Sequence, residues 1–110
     1  MKSGPIFSLV QSLLPCLLGS VFLFGCATVT LPQQEYTLAR TALEYAESTD
    51  SERLAPLLFQ QAQHFYHEGE RMYEERNYDE ARSLFVKARK LAEKAETTAR
   101  IKKAKSGEVL

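Results

Sequence analysis

The sequence predicts an all-α fold, a three-helix antiparallel bundle that follows a cleavable signal segment. Apolar residues recur in steps of three and four after residue 32, the period of one face of an α-helix. Prolines and clusters of turn-forming residues separate the periodic segments. The predicted helices cover about residues 33–47, 56–76 and 78–103, which is enough chain for one modest core.

The first predicted helix follows Pro32, since proline suits a first helical turn. Leu38, Ala42 and Tyr45 follow at helical spacing and are expected to form its apolar face. Turn and cap formers at residues 48–51 are expected to end this helix.

The second predicted helix begins at Pro56, which has no amide proton and belongs in a first turn. Its expected apolar seam is Leu58, Ala62, Phe65, Gly69 and Met72. Asn77 is expected to cap the third helix, with Glu80 reaching back to complete a capping box.

The third predicted helix has a seam made mostly of alanine. The seam consists of Tyr78, Ala81, Phe85, Ala88, Ala92, Ala95 and Ala99. Alanine leaves little bulk, so a neighbouring helix can approach closely, and Phe65, Met72 and Tyr73 of the second helix are expected to fill the space. Because the large residues of the second helix complement the small seam of the third, these two helices are predicted to pack against each other as a hairpin.

The first 25 residues have the layout of a secretory signal. Lys2 precedes an apolar stretch at residues 6–24, interrupted by scattered polar residues and Pro15. A permanent transmembrane helix is the alternative, because it needs about 20 predominantly apolar residues. Pro15 and the polar residues disfavour that alternative.

Residues 23–26, Leu-Phe-Gly-Cys, resemble the bacterial lipobox, although Phe24 stands where a small residue is usual. The resemblance implies that Leu23 fills an apolar pocket of the signal peptidase and that Gly25 leaves room at the cleaved bond. It also implies a diacylglyceryl group and an N-acyl chain on Cys26, and two or three acyl chains anchor a protein stably. The alternative is a buried cysteine at the end of an ordinary signal or anchor helix.

Cleavage before Cys26 divides the chain into four expected parts. These are a signal peptide (1–25), a lipidated tether (26–32), a helical domain (33–105) and a flexible C-terminal tail (106–110). The tether reaches roughly 20 Å at most, which places the domain close to a membrane of the bacterial cell envelope. Because Ala27 follows the cysteine, the lipobox rule implies the periplasmic face of the outer membrane if the source has two membranes.

Residues 65–91 resemble a single tetratricopeptide unit. The matching positions are Phe65, Gly69, Tyr73, Tyr78, Ala81, Phe85, Ala88 and Leu91. Glu68 and Glu93 depart from the repeat, and no second copy follows. The resemblance therefore implies a packed hairpin rather than a peptide-binding groove.

Residues 36–103 are similar to small envelope lipoproteins grouped as domain of unknown function 4398. The features shared with these proteins are the Ala55-Pro56 entry to the second helix, the alanine-spaced third helix and, before this stretch, the lipobox leader. It implies a helical envelope lipoprotein and supplies no activity to transfer.

The residues predict neither an enzyme nor a metal or cofactor site. His64 and His67 are one turn apart, but structural zinc normally takes four ligands. Carboxylates are plentiful in the second helix, yet a small bundle leaves little room for a catalytic pair facing a substrate. No disulfide is expected, since Cys16 lies in the leader.

Charge is distributed unevenly along the chain. Residues 26–81 carry 4 basic and 11 acidic residues, whereas residues 82–110 carry 9 basic and 3 acidic ones. The halves are expected to neutralise each other by packing, or to face different partners. The cations that end the third helix are Arg100, Lys102, Lys103 and Lys105. They suit a helix C-terminus or an anionic lipid surface; nucleic acid is not expected.

The expected function is that of a lipid-anchored, non-catalytic adaptor that binds another envelope protein. The candidate partner face is aromatic and consists of Phe65, Tyr66, Tyr73, Tyr78 and Phe85. The alternative is a structural, self-associating envelope lipoprotein without a dedicated client.

Overall fold

The structure, a computed structural model, describes residues 29–107, which fold into four α-helices without a strand. The helices are α1 (Gln33–Ser48), α2 (Ser51–Leu54), α3 (Pro56–Glu74) and α4 (Tyr78–Ser106). The all-α prediction is confirmed. The expected signal peptide, the lipobox residues Leu23, Gly25 and Cys26, and the last three residues of the expected tail lie outside the described residues.

The connection between α1 and α3 contains a short helix that the sequence did not predict. Asp50 adopts a left-handed conformation (φ 66°), which ends α1 and turns the chain into α2. The hydroxyl of Thr49 donates to the carbonyl of Ala46 at 2.9 Å and lies 2.9 Å from the hydroxyl of Ser51. Both hydroxyl-bearing residues are buried. The Thr49 hydroxyl thus satisfies a backbone carbonyl inside the fold.

The turn between α3 and α4 is a Schellman motif. The amide of Asn77 donates to the carbonyl of Met72 at 2.9 Å, and the amide of Arg76 donates to that of Tyr73 at 3.0 Å. Arg76 occupies the left-handed position (φ 61°) that usually holds glycine.

The predicted capping box at the start of α4 is wrong. The carbonyl of Asn77 accepts from the amide of Ala81, but the Asn77 side chain makes no cap hydrogen bond to the helix. Its amide nitrogen lies 3.9 Å from the sulfur of Met72 instead. Asn77 also completes the Schellman turn of α3, and this directs its side chain back towards α3.

α4 is the central element, because each of the other three helices packs most extensively against it. Gly69 of α3 lies against Phe85 of α4, and further along, the amine of Lys102 donates to the carbonyl of Leu54. α3 and α4 are therefore antiparallel. α1 begins beside the start of α4, where Glu35 pairs with Arg82.

The predicted alanine seam of α4 forms the centre of the core. Its buried residues are Ala81, Phe85, Ala88, Ala92, Ala95 and Ala99, all without exposed surface. Gly69 has no side chain, and a Cβ placed there would lie 2.7 Å from Cε1 of Phe85. The Phe85 ring therefore fills the space that Gly69 leaves open.

The predicted faces of the other two long helices need correction. In α3, Ala62 and Gly69 are buried as expected, and Leu58, Phe65 and Met72 are partly buried and pack against the core. The large buried residues of this helix are Phe59 and Tyr66, which the predicted seam did not include. In α1, Leu38 and Tyr45 are 40% and 58% exposed. The buried residues of α1 are Ala39, Ala42, Leu43 and Ala46. Three of these four residues are alanines, which lets α1 approach the alanine seam of α4 closely.

Candidate functional site

A pocket of about 320 Å³ opens where the first turn of α1, the last turns of α3 and the start of α4 meet. It is called the aromatic–acidic pocket here. Its lining residues are Gln33, Tyr36, Glu70, Tyr73, Glu74 and Phe85. Three rings and two carboxylates thus converge on one concave surface.

Helical spacing explains how the chain assembles this lining. α1 begins directly after the buried Pro32, so Gln33 and Tyr36 lie one turn apart on one side of the pocket. Glu70, Tyr73 and Glu74 follow at the i, i+3 and i+4 positions of α3 on the other side.

The aromatic part of the pocket belongs to a cluster of three rings. Tyr36 meets Phe85 edge-on at a centroid distance of 5.4 Å and stacks on Tyr66 at 5.7 Å. Tyr66 lies 5.8 Å from Phe85. Such pairs contribute about 0.5–1.5 kcal/mol beyond their buried area, so the cluster holds the Tyr36 ring in place.

Tyr66 stays protonated at neutral pH. Burial raises the pKa of its phenol well above the ordinary value, and a hydrogen bond with Tyr36 and the nearby Glu70 carboxylate act in the same direction. The negative charge of the pocket therefore comes from its two glutamates.

The two glutamates differ in their surroundings. Glu70 Oε2 lies 3.0 Å from Nδ1 of His67. Glu74 is exposed and has no hydrogen-bond or ion-pair partner among residues 29–107. Nearby, the side-chain amide of Gln33 donates to the hydroxyl of Tyr73 at 2.8 Å and joins α1 to α3 across the pocket.

The predicted aromatic partner face does not form one surface. Phe85 is fully buried and Tyr66 is 8% exposed, so both are core residues and their assignment to a contact face is wrong. Tyr73 lines the pocket and meets Tyr78 edge-on at 5.4 Å. Phe65 lies elsewhere on α3.

The partly exposed Phe65 ring already has a cation above it. Nζ of Lys87 lies 4.1 Å from the ring centroid. The interaction joins α3 to α4 on a side of the fold that does not line the pocket.

The predicted cationic group lies at the opposite end of α4 from the pocket. Arg100 pairs with Glu96 at 2.8 Å, and Lys102 donates to the carbonyl of Leu54. Lys103 and Lys105 lie in the last turn, where cations complement the helix dipole.

Arg82 holds the segment that precedes α1. It donates to the carbonyl of Thr30 at 2.9 Å and lies 3.4 Å from Glu35 and 3.2 Å from Asp79. It also lines a second, wider pocket of about 780 Å³ beside residues 29–31. Many other ion pairs of the described chain join residues three or four apart in one helix, so packing neutralises the two charged halves less than expected.

The two histidines are not part of a larger ligand cluster. His64 and His67 are both exposed, and within residues 29–107 no three histidine, cysteine, aspartate or glutamate side chains could hold a metal ion together. The same residues include no helix with the length and apolar character needed to cross a membrane.

Sequence reasoning did not find the pocket itself. Gln33 and Tyr36 lie off the face predicted for α1, and the abundance of carboxylates in the second helix does not single out Glu70 and Glu74. The available signal was the pair Glu70 and Glu74, one turn apart, with Tyr73 between them.

The described fold and pocket lie almost wholly within one recognised family region. The family profile described as Domain of unknown function (DUF4398) matches residues 34–108, more than half of the chain. Neither a curated protein nor a solved structure matches the chain.

Proposed function

Because the chain belongs to the DUF4398 family, whose description assigns no activity, we propose a function from its own residues. It is a lipid-anchored bacterial lipoprotein whose helical domain acts as a non-catalytic adaptor in the cell envelope. The observation that carries this proposal is the aromatic–acidic pocket, which leaves Tyr36 and Tyr73 partly exposed on a concave surface.

Aromatic residues in concave sites are typical anchors of protein interfaces, because a large rigid surface is desolvated at small entropic cost. Tyr36 is held by the core rings and Tyr73 by the hydrogen bond from Gln33. The pocket is thus preorganised, which lowers the cost of binding a partner.

The proposed fold is an antiparallel three-helix bundle in which α2 is a connecting turn and α3–α4 is a tetratricopeptide-like hairpin. The close approach at Gly69 and the small residue Ala81 support the likeness. In this proposal α1 covers one face of the hairpin and contributes one wall of the pocket.

The anchor is proposed from the lipobox-like residues 23–26. Thr30 is held by Arg82 at the pocket end of the bundle, and the four residue steps from Cys26 to Thr30 span at most about 14 Å. The pocket therefore lies near the membrane surface, and its partner is an envelope protein that reaches that surface.

Lipidation is tested by mass spectrometry of the full chain produced in a bacterium. The expected product begins at Cys26 and carries the mass of a diacylglyceryl group and an N-acyl chain. Cys26→Ser abolishes that mass, whereas the matched change Cys16→Ser leaves it intact. An uncleaved chain, or a lipid mass that survives Cys26→Ser, contradicts the anchor.

The adaptor role is tested by photocrosslinking in cells with a photoreactive residue at position 73. The control is position 45, because Tyr45 is exposed on α1 and does not line the pocket. A crosslinked envelope protein obtained from position 73 and not from position 45 supports the proposal. The same products from both positions, or none, contradict it.

Self-association is the second candidate function, because glutamates line the pocket while cations crowd the opposite end of α4. Opposite ends of opposite charge favour head-to-tail contacts between copies. Sedimentation of the lipidated protein in nonionic detergent tests this candidate. Oligomers that grow with protein concentration and dissolve in salt support it, and a monomer at all concentrations contradicts it.

A further inference from the structure

We propose that the aromatic–acidic pocket binds a cation, the lysine or arginine side chain of a partner protein, between the rings of Tyr36 and Tyr73 and the carboxylates of Glu70 and Glu74. This inference deepens the adaptor role and rests on it. It assigns the chemistry by which the partner is recognised.

The rings provide the first part of the argument. A cation within about 6 Å of an aromatic centroid is attracted by the negative face of the ring. Tyr36 of α1 and Tyr73 of α3 line the pocket from opposite sides and are partly exposed, whereas Phe85 is fully buried. A bound cation thus meets aromatic surface from more than one direction. The same chain already uses this interaction, since Lys87 lies 4.1 Å above Phe65.

The carboxylates provide the second part. Glu68 and Glu75 of the same helical segment are neutralised by Arg71, at 2.8 and 2.9 Å. Glu70 and Glu74, which line the pocket, have no arginine or lysine partner among residues 29–107. Like charges one turn apart repel each other by a few tenths of a kcal/mol, and a cation bound between them removes that repulsion.

The size and polarity of the pocket fit the same ligand. A volume of about 320 Å³ is at the lower end of pockets that hold small ligands, and it accommodates one long side chain with its charged group. Within the part of the chain that the structure describes, no lysine or arginine lines the pocket. An anion would meet two carboxylates there, so the site discriminates by charge.

The cation is assigned to a different protein rather than to a second copy. The chain's own cations at Lys103 and Lys105 lie at the far end of α4, whereas Arg82 joins the segment after the proposed anchor to the pocket end. Copies that stand side by side on one membrane therefore place their basic ends roughly 30–40 Å from a neighbouring pocket, given the 1.5 Å rise per residue of α4.

The test is a titration of the mature lipidated protein in nonionic detergent, labelled with 3-fluorotyrosine and observed by ¹⁹F NMR. The probe is Nα-acetyl-lysine methylamide, and its uncharged counterpart is Nα-acetyl-norleucine methylamide. The resonances of Tyr36 and Tyr73 are expected to shift and saturate with the lysine probe alone. That of Tyr45 is expected to stay fixed.

Two matched variants connect the shifts to the carboxylates. Glu74→Gln is expected to weaken binding of the lysine probe about fivefold, the effect of losing one charge pair in exposed surroundings. Glu47→Gln removes an exposed carboxylate of α1 outside the pocket and is expected to change nothing. Equal shifts with both probes, no shifts, or equal effects of the two variants overturn the inference.

The crosslinking experiment separates this inference from the adaptor role. If position 73 crosslinks an envelope protein in cells while the lysine probe does not bind, the adaptor role stands and the cation site falls. Loss of that crosslink in Glu74→Gln, but not in Glu47→Gln, supports both. A crosslink found only between two copies of this chain overturns the assignment of the cation to a different protein.

Discussion

The contact between Gly69 and Phe85 leads to a quantitative prediction. A Cβ at position 69 would lie 2.7 Å from Cε1 and 2.8 Å from Cδ1 of the ring, whereas carbon atoms in contact normally lie about 3.5–4.0 Å apart. The ring has little freedom to retreat, because it is fully buried between Tyr36 and Tyr66. Gly69→Ala therefore creates an overpacked core.

Two opposing effects set the size of the change. Overpacking a core costs about 1–3 kcal/mol, while glycine to alanine inside a helix gains about 0.8–1.0 kcal/mol. We expect Gly69→Ala to lower the free energy of unfolding by about 1 kcal/mol net, which lowers the melting temperature of a domain of this size by about 4–8 °C.

Urea unfolding followed by far-ultraviolet circular dichroism measures the change. The matched control compares Gln60→Gly with Gln60→Ala, because Gln60 is exposed in the same helix and reports helix propensity alone. The step from glycine to alanine is expected to stabilise the protein at position 60 and to destabilise it at position 69. If both steps stabilise it equally, the steric argument is refuted.

A double variant tests whether the ring is the cause. Phe85→Val removes the Cδ, Cε and Cζ atoms of the ring, so in that background Gly69→Ala is expected to regain the stabilisation seen at position 60. The coupling between the two sites should exceed about 0.5 kcal/mol. Purely additive effects would show that some other contact opposes the new methyl group.

Three further predictions concern other features of the fold. The pKa of Tyr66 is raised above 10.0, so the unfolded chain loses the phenol proton first. The free energy of unfolding therefore falls as the pH rises above 10, by up to about 1.4 kcal/mol per pH unit. In urea unfolding, Tyr66→Phe should show a smaller fall than the parent protein, whereas the exposed control Tyr45→Phe should match the parent. Arg76→Gly should raise the free energy of unfolding by about 1 kcal/mol, since glycine adopts the left-handed conformation without steric cost; a loss of stability would contradict the role of this turn. Ala92→Leu should destabilise the bundle by about 1–3 kcal/mol in thermal unfolding, because Ala92 is fully buried in the seam. The control Lys94→Leu, at an exposed position, should have little effect. An unchanged melting temperature in Ala92→Leu would show that the seam has spare room.

The sequence predicted those parts of the fold that depend on one helix alone. Alanines at regular spacing predicted the buried face of α4, and Pro32 and Pro56 marked two helix starts. The buried face predicted for α1 was wrong because packing against the other helices, above all α4, decides which of its residues are buried. Leu38 is more apolar than Ala39, yet Ala39 is fully buried and Leu38 is 40% exposed.

The short helix α2 and the pocket could not be predicted for different reasons. A single turn such as Ser51–Leu54 is too short to show a period, and its polar residues resemble those of a loop. The pocket depends on the meeting of three helix ends, so no single periodic segment contains all of its residues. Glu70 and Glu74 line a pocket only because the fold places Tyr36 opposite them.

The alanine seam of α4 also bears on how the helices find their register. Ala88, Ala92, Ala95 and Ala99 offer nearly the same surface at each turn, so α3 displaced by one turn, about 5.4 Å, would meet a similar row of methyl groups. Such a row specifies close approach without specifying position along the axis. The ring of Phe85 fits only where Gly69 leaves room, so this pair selects one alignment among near-equivalent ones. The same alignment brings Glu70 and Glu74 level with Tyr36, which makes the shape of the pocket depend on a glycine outside it.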